Sequence, residues 1–222
     1  MPDAEIPKTE PAKAEAPKNG LRPAPMQRWF VPLRVLVRAF FLLFGPIRAR
    51  GAERMPDGGV LVLVNHLADV DPFAVLGSAR RPIRFMGKRE LFEMRIVGYF
   101  MRAWGNFPVS RGEADRAALK EAAEVLRAGE AVGIFPEGEL SASGTMQELK
   151  AGVALIARMA PCPVICVALR GTNRVMPYGK TIPRPSLRCV DVVWGEPRHF
   201  DKETAAEMIP WAEAELRRLG AP

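Results

Sequence analysis

The sequence has few of the residues on which disulfide and metal chemistry depend. Its 222 residues include only three cysteines and two histidines. Three cysteines in apolar or strand-like surroundings indicate reduced thiols rather than a disulfide framework, as in proteins that face the cytosol. Two histidines are too few for a credible zinc site. We therefore expect no metal ion and no bound cofactor.

A long uncharged apolar run is also missing. The most apolar stretch, Arg28–Phe44, contains Arg34 and Arg38, and it falls short of the roughly 20 apolar residues that cross a bilayer. A helix lying in the headgroup region, with its arginines at lipid phosphates, fits this stretch better. An ordinary core helix with two outward-reaching arginines is the alternative. Met1–Pro25 lacks the apolar core of a signal peptide and has the composition of a disordered tail.

Positive charge is concentrated near the start of the chain. The formal net charge is +7, and residues 1–50 hold nine basic groups against four acidic ones. Basic groups beside an apolar segment are attracted to anionic lipid. Nucleic acid also attracts basic chains, but no recognised nucleic-acid-binding motif accompanies this charge. We therefore expect an anionic bilayer surface as a partner, and no nucleic acid.

From Val60 onward, short apolar runs alternate with amphipathic segments. This alternation predicts an α/β layered domain with a largely parallel central sheet flanked by helices, preceded by a membrane-interfacial helix. We expect a disordered tail at 1–25, a membrane-interfacial helical segment at 26–50 and the folded domain at 51–222. The predicted strands are Val60–Val64, Ile83–Met86, Gly105–Val109, Ala131–Phe135, Val164–Leu169 and Leu187–Trp194. The predicted helices are Pro72–Ala79, Leu91–Trp104, Glu113–Ala128 and Glu148–Ala160, with a last segment, Lys202–Leu219, that breaks near Pro210.

A histidine and an aspartate follow the first predicted strand. Val60–Val64 is too short for a helix and ends before His66, while Asp71 and Pro72 are typical of a helix start. Residues five apart share no face of a helix or strand, so His66 and Asp71 can meet only across a turn. A carboxylate bonded to one imidazole nitrogen leaves the other nitrogen free as a base. The pair predicts part of a catalytic triad; a helix-capping aspartate beside a loop histidine is the alternative.

The pattern N-H-x-x-x-x-D after an apolar strand resembles the first motif of the glycerolipid acyltransferases, a family typified by 1-acyl-glycerol-3-phosphate acyltransferases. Further segments resemble the later motifs of that family, in order. One four-residue match would be weak, whereas ordered matches over most of the folded chain argue against chance. The matching segments are Lys88–Leu91 (K-x-E-L), Gly105–Arg111 (glycine to arginine), Phe135–Gly138 (F-P-E-G), Lys150–Gly152 and Pro163–Thr172.

The resemblance implies transfer of a fatty acyl group to the free hydroxyl of a lysophospholipid, at the cytoplasmic face of the cell membrane. The donor would be acyl-CoA or acyl-acyl carrier protein. His66 would be the general base, oriented by Asp71. No acyl-enzyme is expected, because the chain lacks the G-x-S-x-G nucleophile elbow.

Acceptor binding is implied for a second group of residues. Arg111, supported by Lys88 and Lys150, would hold the acceptor's phosphate by charge-assisted hydrogen bonds. The family's glutamate at the place of Glu137 is associated with acceptor binding, and Gly138 would let backbone approach the ligand. Like His66, these strand-end residues can converge, because ligands bind at the carboxyl edge of a parallel sheet. Arg170, also at a strand end, is assigned a structural role.

One motif departs from the family pattern. Where the family commonly reads E-G-T-R-S, Glu137–Ser141 reads EGELS. An acid gained and a base lost weaken the case for a doubly charged phosphomonoester, and leave open a lysophospholipid with a masked phosphate or a lipoamino acid. A thioesterase or hydrolase using the same histidine and aspartate, and a non-catalytic membrane lipid-binding protein, are the alternative functions.

Overall fold

The computed structural model describes residues 27–109 and 115–222. The disorder expected for Met1–Pro25 and the phosphate contact expected for Arg111 concern residues outside these ranges. Both remain predictions.

In the described residues, eight strands form one mixed sheet. They are β1 (Ile47–Arg50), β2 (Val60–Val64), β3 (Ile83–Lys88), β4 (Phe107–Val109), β5 (Ala131–Ile134), β6 (Cys162–Arg170), β7 (Val190–Trp194) and β8 (Arg198–Phe200). The order is β1-β7-β6-β2-β5-β3-β4, and β8 pairs with β6 beside this path. Paired strands are parallel except β6 with β7 and β6 with β8. The expected α/β domain with a largely parallel sheet is confirmed.

Helices cover both faces of the sheet. They are α1 (Phe30–Phe44), α2 (Asp71–Ser78), α3 (Arg89–Glu93), α4 (Arg95–Trp104), α5 (Arg116–Arg127), α6 (Ala154–Met159), α7 (Thr172–Val175) and α8 (Met208–Leu219). Short 3-10 turns occur at Gln27–Trp29, Ala52–Arg54, Ala151–Val153 and Ala205–Glu207.

The core lies in two layers, one on each face of the sheet. In β2, Val60, Val62 and Val64 belong to the layer covered by α1, α2 and the end of α4. Leu61 and Leu63 belong to the layer covered by α5, α6 and α8. A strand that is buried on both faces reads as an uninterrupted apolar run, which explains the lack of polar alternation in this strand.

All six predicted strands are present, with ends displaced by up to three residues. The strands β1 and β8 have no counterpart among the predictions. β1 reads Ile-Arg-Ala-Arg and exposes both arginines, whereas β8 has only three residues. Neither carries the apolar run that marks a buried strand.

The single helix predicted from Leu91 to Trp104 is wrong. Two helices, α3 and α4, meet at Met94, whose backbone is extended with φ −68° and ψ 128°. The break brings the carbonyl oxygen of Phe92 against Gly98, where a Cβ atom would lie 2.2 Å from that oxygen. The Arg102 guanidinium donates to the same oxygen at 2.6 Å. This folded-back contact has no signature in hydrophobic spacing.

Two other helix predictions need correction. The helix predicted over Glu148–Ala160 is a 3-10 turn followed by the shorter α6. The break predicted near Pro210 falls before it, since α8 starts at Met208 and places Pro210 in its first turn. Proline is tolerated there because first-turn amides have no intrahelical acceptor.

Residues described within 26–50 form part of the domain rather than a segment apart from it. Phe30, Val37 and Phe41 of α1 are buried in the core, and Ile47 begins the parallel pairing of β1 with β7. The boundary expected at residue 50 therefore falls at the end of a sheet strand. Within residues 27–109 and 115–222, no helix has both the length and the apolar character needed to cross a bilayer.

Candidate active site

Four neighbouring parallel strands, β2, β5, β3 and β4, bring predicted site residues to the edge of the sheet formed by the carboxyl-terminal ends of the strands. His66 follows β2 by two residues, Glu137 follows β5 by three, and Lys88 ends β3. Lys88 is paired in register with Val109, the last residue of β4. Arg111 comes two residues after Val109 in the chain but lies outside the described residues, so its position at this edge stays a prediction.

His66 and Asp71 contact each other directly. The Nδ1 atom of His66 lies 2.9 Å from Oδ2 of Asp71. The carboxylate is fully buried, and the histidine side chain is 12% exposed. With Nδ1 engaged, Nε2 is the ring nitrogen left for a substrate. The predicted meeting of the two residues across a turn is therefore present in the structure.

Asp71 binds the turn that leads to it. Besides the His66 ring, its Oδ2 accepts hydrogen bonds from the backbone amides of Leu67 at 2.6 Å and Ala68 at 2.8 Å. Asp71 is the first residue of α2, and Val70 at the N-cap has no side-chain capping bond. The alternative interpretation of Asp71 as a helix cap is thus wrong. One oxygen instead fixes both the turn and the imidazole.

The imidazole is also held by an aromatic ring. His66 stacks on Phe135, with ring centroids 4.0 Å apart and planes inclined by 20°. Phe135 follows β5 directly, so the ring comes from the strand next to that of His66. A bonded edge and a stacked face leave the imidazole little rotational freedom. The orientation of the His66 ring is therefore set by two side chains, Asp71 and Phe135.

Glu137 contacts the protein backbone at both of its oxygens. Oε1 accepts from the His66 amide at 2.8 Å, and Oε2 accepts from the Gln147 amide at 2.9 Å. The side chain is buried. Burial raises the pKa of the Glu137 carboxyl, and the hydrogen bonds from the Gln147 and His66 amides oppose part of that rise. This geometry favours a positioning role for Glu137 over the acceptor contact that the resemblance implied.

We expect Glu137→Gln to destabilise the site. An amide presents its single oxygen to only one of the two backbone donors, so that either His66 or Gln147 faces an NH2 group. The free energy of unfolding should fall by about 1–3 kcal/mol, and kcat should fall more than the acceptor's KM rises. Chemical denaturation, and kinetics with each substrate varied in turn, would measure both effects.

The exposed neighbour Glu139 provides a matched control. Glu139→Gln makes the same chemical change without a buried partner, and it should leave stability unchanged. A Glu137→Gln variant with normal stability and kcat, but a raised acceptor KM, would instead assign Glu137 to acceptor binding.

Lys150 reaches the same strand end from a distant part of the chain. Its backbone amide donates to the carbonyl of Pro136 at 2.8 Å. Its Nζ atom lies over Gly138, where a Cβ atom would be 2.6 Å from it. Gly138 also has φ +78°, a conformation that favours glycine. The Lys150 side chain therefore occupies the space over Gly138 that was expected for a ligand, and Lys150 itself is exposed.

The other two basic residues at strand ends differ in their surroundings. Lys88 is about half exposed and pairs with Glu90 at 3.4 Å. Arg170 pairs with Asp191 of the adjacent strand β7 at 3.5 Å. The Arg170 pair lies on the far side of β2 from Glu137 and Lys88, in keeping with the structural role assigned to it.

Several residues that hold the site had no role in the sequence interpretation. Asn65 is buried and ties β2 to β6, since its Nδ2 donates to the Leu169 carbonyl at 3.1 Å and its Oδ1 accepts from the Leu169 amide at 2.7 Å. The Ser141 amide donates to the His66 carbonyl at 3.0 Å. Asn65 stands beside the histidine within the recognised motif, which was the available signal. Ser141 gave none.

The segment from Glu137 to Ser141 therefore binds both the backbone amide and the backbone carbonyl of His66. The His66 amide binds Glu137, and its carbonyl binds Ser141. In the altered motif, Glu139 is exposed and Leu140 is half-buried, so the two departures from the family pattern lie between these anchors. Among the described residues, no group of three histidine, cysteine or acidic side chains is placed to hold a metal ion.

The sequence is similar to those of known proteins. The sequence profile of the Acyltransferase family matches residues 46–170. A 1-acyl-sn-glycerol-3-phosphate acyltransferase of Bacillus subtilis is 28% identical over 165 residues, which covers 73% of this chain and 79% of that protein. A chloroplastic enzyme of the same name from Arabidopsis thaliana is 30% identical over 140 residues, covering 61% of this chain but only 39% of the plant protein.

A solved structure is similar over most of the fold. The crystal structure of the 1-acyl-sn-glycerophosphate acyltransferase PlsC from Thermotoga maritima aligns with a TM-score of 0.71 and 27% identity, covering 86% of this chain and 78% of that one. The ordered motifs, the paired histidine and aspartate at the sheet edge, and a profile match over more than half of the residues lead to one conclusion: the chain is an enzyme of the acyltransferase family.

Proposed function

We propose that this enzyme transfers a fatty acyl group from an acyl thioester to the free hydroxyl of a lysophospholipid such as 1-acyl-glycerol-3-phosphate. The observation that carries the proposal is the 2.9 Å contact between His66 Nδ1 and the buried Asp71 carboxylate. It fixes the tautomer and orientation of the imidazole, leaving Nε2 to accept a proton. The names of the similar proteins support the choice of acceptor.

The reaction needs one proton acceptor and no acyl-enzyme. Nε2 of His66 takes the proton of the acceptor hydroxyl as its oxygen attacks the thioester carbonyl carbon. The tetrahedral intermediate then collapses, breaking the carbon–sulfur bond. The imidazolium, stabilised by Asp71, returns the proton to the departing thiolate. An ester and a free thiol result.

Binding of the acceptor headgroup is assigned to the neighbouring strand ends. The Lys150 ammonium group lies at the end of β5 and Lys88 at the end of β3, while Arg111 follows β4. Strands are spaced by about 4.8 Å, so β4 lies roughly 14 Å from β2. A glycerophosphate and a long basic side chain together can span this distance. Arg111 would grip two phosphate oxygens at once, as a guanidinium can.

A product analysis tests the proposed reaction. Purified enzyme would be incubated with acyl-CoA or acyl-acyl carrier protein and with lysophosphatidate, lysophosphatidylglycerol or a lipoamino acid, and the products identified by mass spectrometry. A new acylated lipid together with free thiol is expected. Thioester loss without an acylated acceptor would indicate a hydrolase, and lipid capture without any product would indicate a binding protein.

The outward face of α1 supports the membrane location proposed for the enzyme. While Phe30, Val37 and Phe41 face the core, Leu42 and Leu43 are largely exposed on the other side. A helix that is apolar on both sides suits a position between the core and lipid. We therefore place the enzyme peripherally or monotopically on the membrane surface, at the cytoplasmic side where its thioester donors are made.

The two arginines of α1 have different surroundings. Arg34 is half-buried, and its Nη1 donates to the Ala79 carbonyl at 3.0 Å. Arg38 is exposed. The phosphate contact expected for both arginines is thus proposed for Arg38 alone, since Arg34 joins α1 to the residue after α2.

We expect Leu42→Asn with Leu43→Asn to weaken binding to anionic vesicles by about tenfold or more, because two leucines lose their burial in lipid. Arg38→Gln should weaken it by about fivefold, equivalent to about 1 kcal/mol, and make the remainder less sensitive to salt. Sedimentation with vesicles at low and high salt would measure both.

The matched control lies on the opposite layer of the molecule. Leu155 of α6 is partly exposed, and Leu155→Asn should leave vesicle binding unchanged. Deleting residues 1–50 is unsuitable, because it removes core side chains of α1 and the strand β1. Unchanged binding by the Leu42 and Leu43 variant would remove the outward face of α1 from the membrane contact.

A further inference from the structure

An apolar stripe lies on the outward side of α4. Ile96, Tyr99 and Phe100 are 72%, 63% and 52% exposed. Their spacing places them on one side of the helix, and the rings of Tyr99 and Phe100 meet edge to face at 5.6 Å. In a globular protein such a stripe normally faces the core. Here it faces outward.

The opposite side of α4 packs against the rest of the domain. Gly98 and Trp104 are buried, and Trp104 Nε1 donates to the carbonyl of Ile83 at 3.2 Å. Gly98 sits against the Phe92 carbonyl of α3. The helix is therefore anchored to the sheet without any contribution from Ile96, Tyr99 or Phe100, so their apolar character needs another explanation.

Charge near the stripe favours an anionic surface. Residues 88–104, which include α3 and α4, contain four basic and two acidic groups. Lys88 pairs with Glu90 and Arg89 with Asp115, so the positive charge beside the stripe comes chiefly from Arg95. Met94 and Arg95, at the junction of the two helices, are both exposed. Exposed apolar and aromatic side chains flanked by arginine are typical of segments that lie in the headgroup region of a bilayer.

The start of α1 lies against the end of α4. Phe30, at the start of α1, contacts Trp104, at the end of α4, with ring centroids 6.4 Å apart. Trp29 and Val31 beside this contact are both exposed. Exposed apolar side chains at the start of α1 therefore lie near the end of α4. The α3–α4 unit also begins directly after Lys88, at the sheet edge that holds the candidate active site.

We propose that Ile96, Tyr99 and Phe100 form a second lipid-contact surface, which rests on the bilayer together with the outward face of α1. The inference builds on the proposed function, since the acceptor is a membrane lipid. Contacts through both α1 and α4 would fix the orientation of the protein on the bilayer surface. Contact through α1 alone would leave the protein free to rotate about the axis of that helix. With both engaged, the edge that carries Lys88 is turned toward the lipid headgroups, from which the acceptor enters.

A second copy of the chain fits this surface less well than a bilayer does. A two-fold interface pairs a patch with itself, so that Arg95 would approach its own copy beside the stripe. A stable interface also buries about 800 Å² on each partner, more than three side chains supply. Binding to a bilayer requires neither a self-complementary patch nor a buried area of this size.

The test compares polar substitutions on α4 with a matched control. Full-length Ile96→Asn/Phe100→Asn would be sedimented with vesicles of phosphatidylcholine and phosphatidylglycerol. We expect its affinity to fall by about tenfold or more at both low and high salt, because the lost term is apolar. Leu155→Asn should stay within about twofold of wild type. Equal melting temperatures would show that the variants are folded.

A labelled variant gives an independent measurement. In a Cys189→Ser background, Ile96→Cys would carry an environment-sensitive fluorophore, since Cys162 and Cys166 are buried and burial raises the pKa of the Cys162 thiol to about 11. Its emission should shift to the blue when vesicles are added, and the same label at position 155 should not shift.

Three outcomes would overturn the proposal. They are vesicle binding by the double variant within about twofold of wild type, no spectral shift at position 96, or a lipid-free wild-type dimer that the double variant dissociates. On a short-chain, water-soluble acceptor the double variant should keep the wild-type rate. If the wild type acylates no acceptor, yet the double variant loses vesicle binding, the result supports the lipid-contact surface and contradicts the proposed acyl transfer.

Discussion

Replacing His66 with alanine is expected to lower kcat for acyl transfer by about 10²- to 10⁴-fold, the contribution of a positioned general base. The fold should survive, because the two hydrogen bonds that hold this residue in place use its backbone. The His66 amide still reaches Glu137 and its carbonyl still reaches Ser141. The loss should appear with every acceptor, since each requires removal of the hydroxyl proton.

His66→Asn is the matched variant for this test. Its side-chain amide can replace Nδ1 as the donor to Asp71, but it has nothing in the place of Nε2. Both variants should therefore be inactive, while the asparagine variant keeps the buried contact. Steady-state kinetics and thermal unfolding would be measured together. A folded variant of either kind that retains wild-type kcat would exclude His66 as the base.

Asp71→Asn and Asp71→Ala are expected to separate catalysis from stability. Oδ2 of Asp71 accepts from two backbone amides and the His66 ring. Asparagine can place its oxygen there, because two amide hydrogens point at that position, so that the tautomer of His66 is kept. What it loses is the negative charge that stabilises the imidazolium. We expect kcat to fall by about 10- to 10³-fold, less than the roughly 10⁴-fold found where the wrong tautomer forms.

Alanine at position 71 removes the acceptor from all three donors. Leaving the buried amides of Leu67 and Ala68 unpaired should cost about 2–6 kcal/mol, at about 1–3 kcal/mol for each. The melting temperature should drop clearly in this variant and little in Asp71→Asn. If Asp71→Ala melts like the wild type, the carboxylate does not hold the turn. If Asp71→Asn keeps the wild-type kcat, its charge does not serve the reaction.

The parts of this molecule that depend on neighbouring residues were open to prediction. The apolar run of β2, the histidine after it and α2, with Pro72 in its first turn, lie within about twenty residues. Their local chemistry favours a single arrangement. Alternating strands and helices imply parallel pairing, and parallel pairing brings strand ends together. The contact between His66 and Asp71 and the location of Lys88 follow from this reasoning.

The contacts that assemble the site around His66 connect distant residues and leave no local trace. Glu137 reaches the His66 amide across 71 residues, and Asn65 reaches Leu169 across 104. Glutamate and asparagine side chains are mostly exposed, so composition gives no reason to place either in the interior. The break at Met94 depends on a close approach of Phe92 to Gly98, which hydrophobic periodicity does not encode.

The pairing of β1 with β7 has a consequence for synthesis of the chain. Ile47 lies beside Val190, so β1 has no partner until most of the polypeptide has been made. At about 5–20 residues per second, the wait is roughly 7 to 30 s. During that interval α2 is available to pack against α1, but the sheet beneath α1 is incomplete and the outward side of α1 is uncovered. A nascent chain can therefore meet the bilayer through α1 before the sheet closes, and the edge strand next to it is among the last parts of the fold to form.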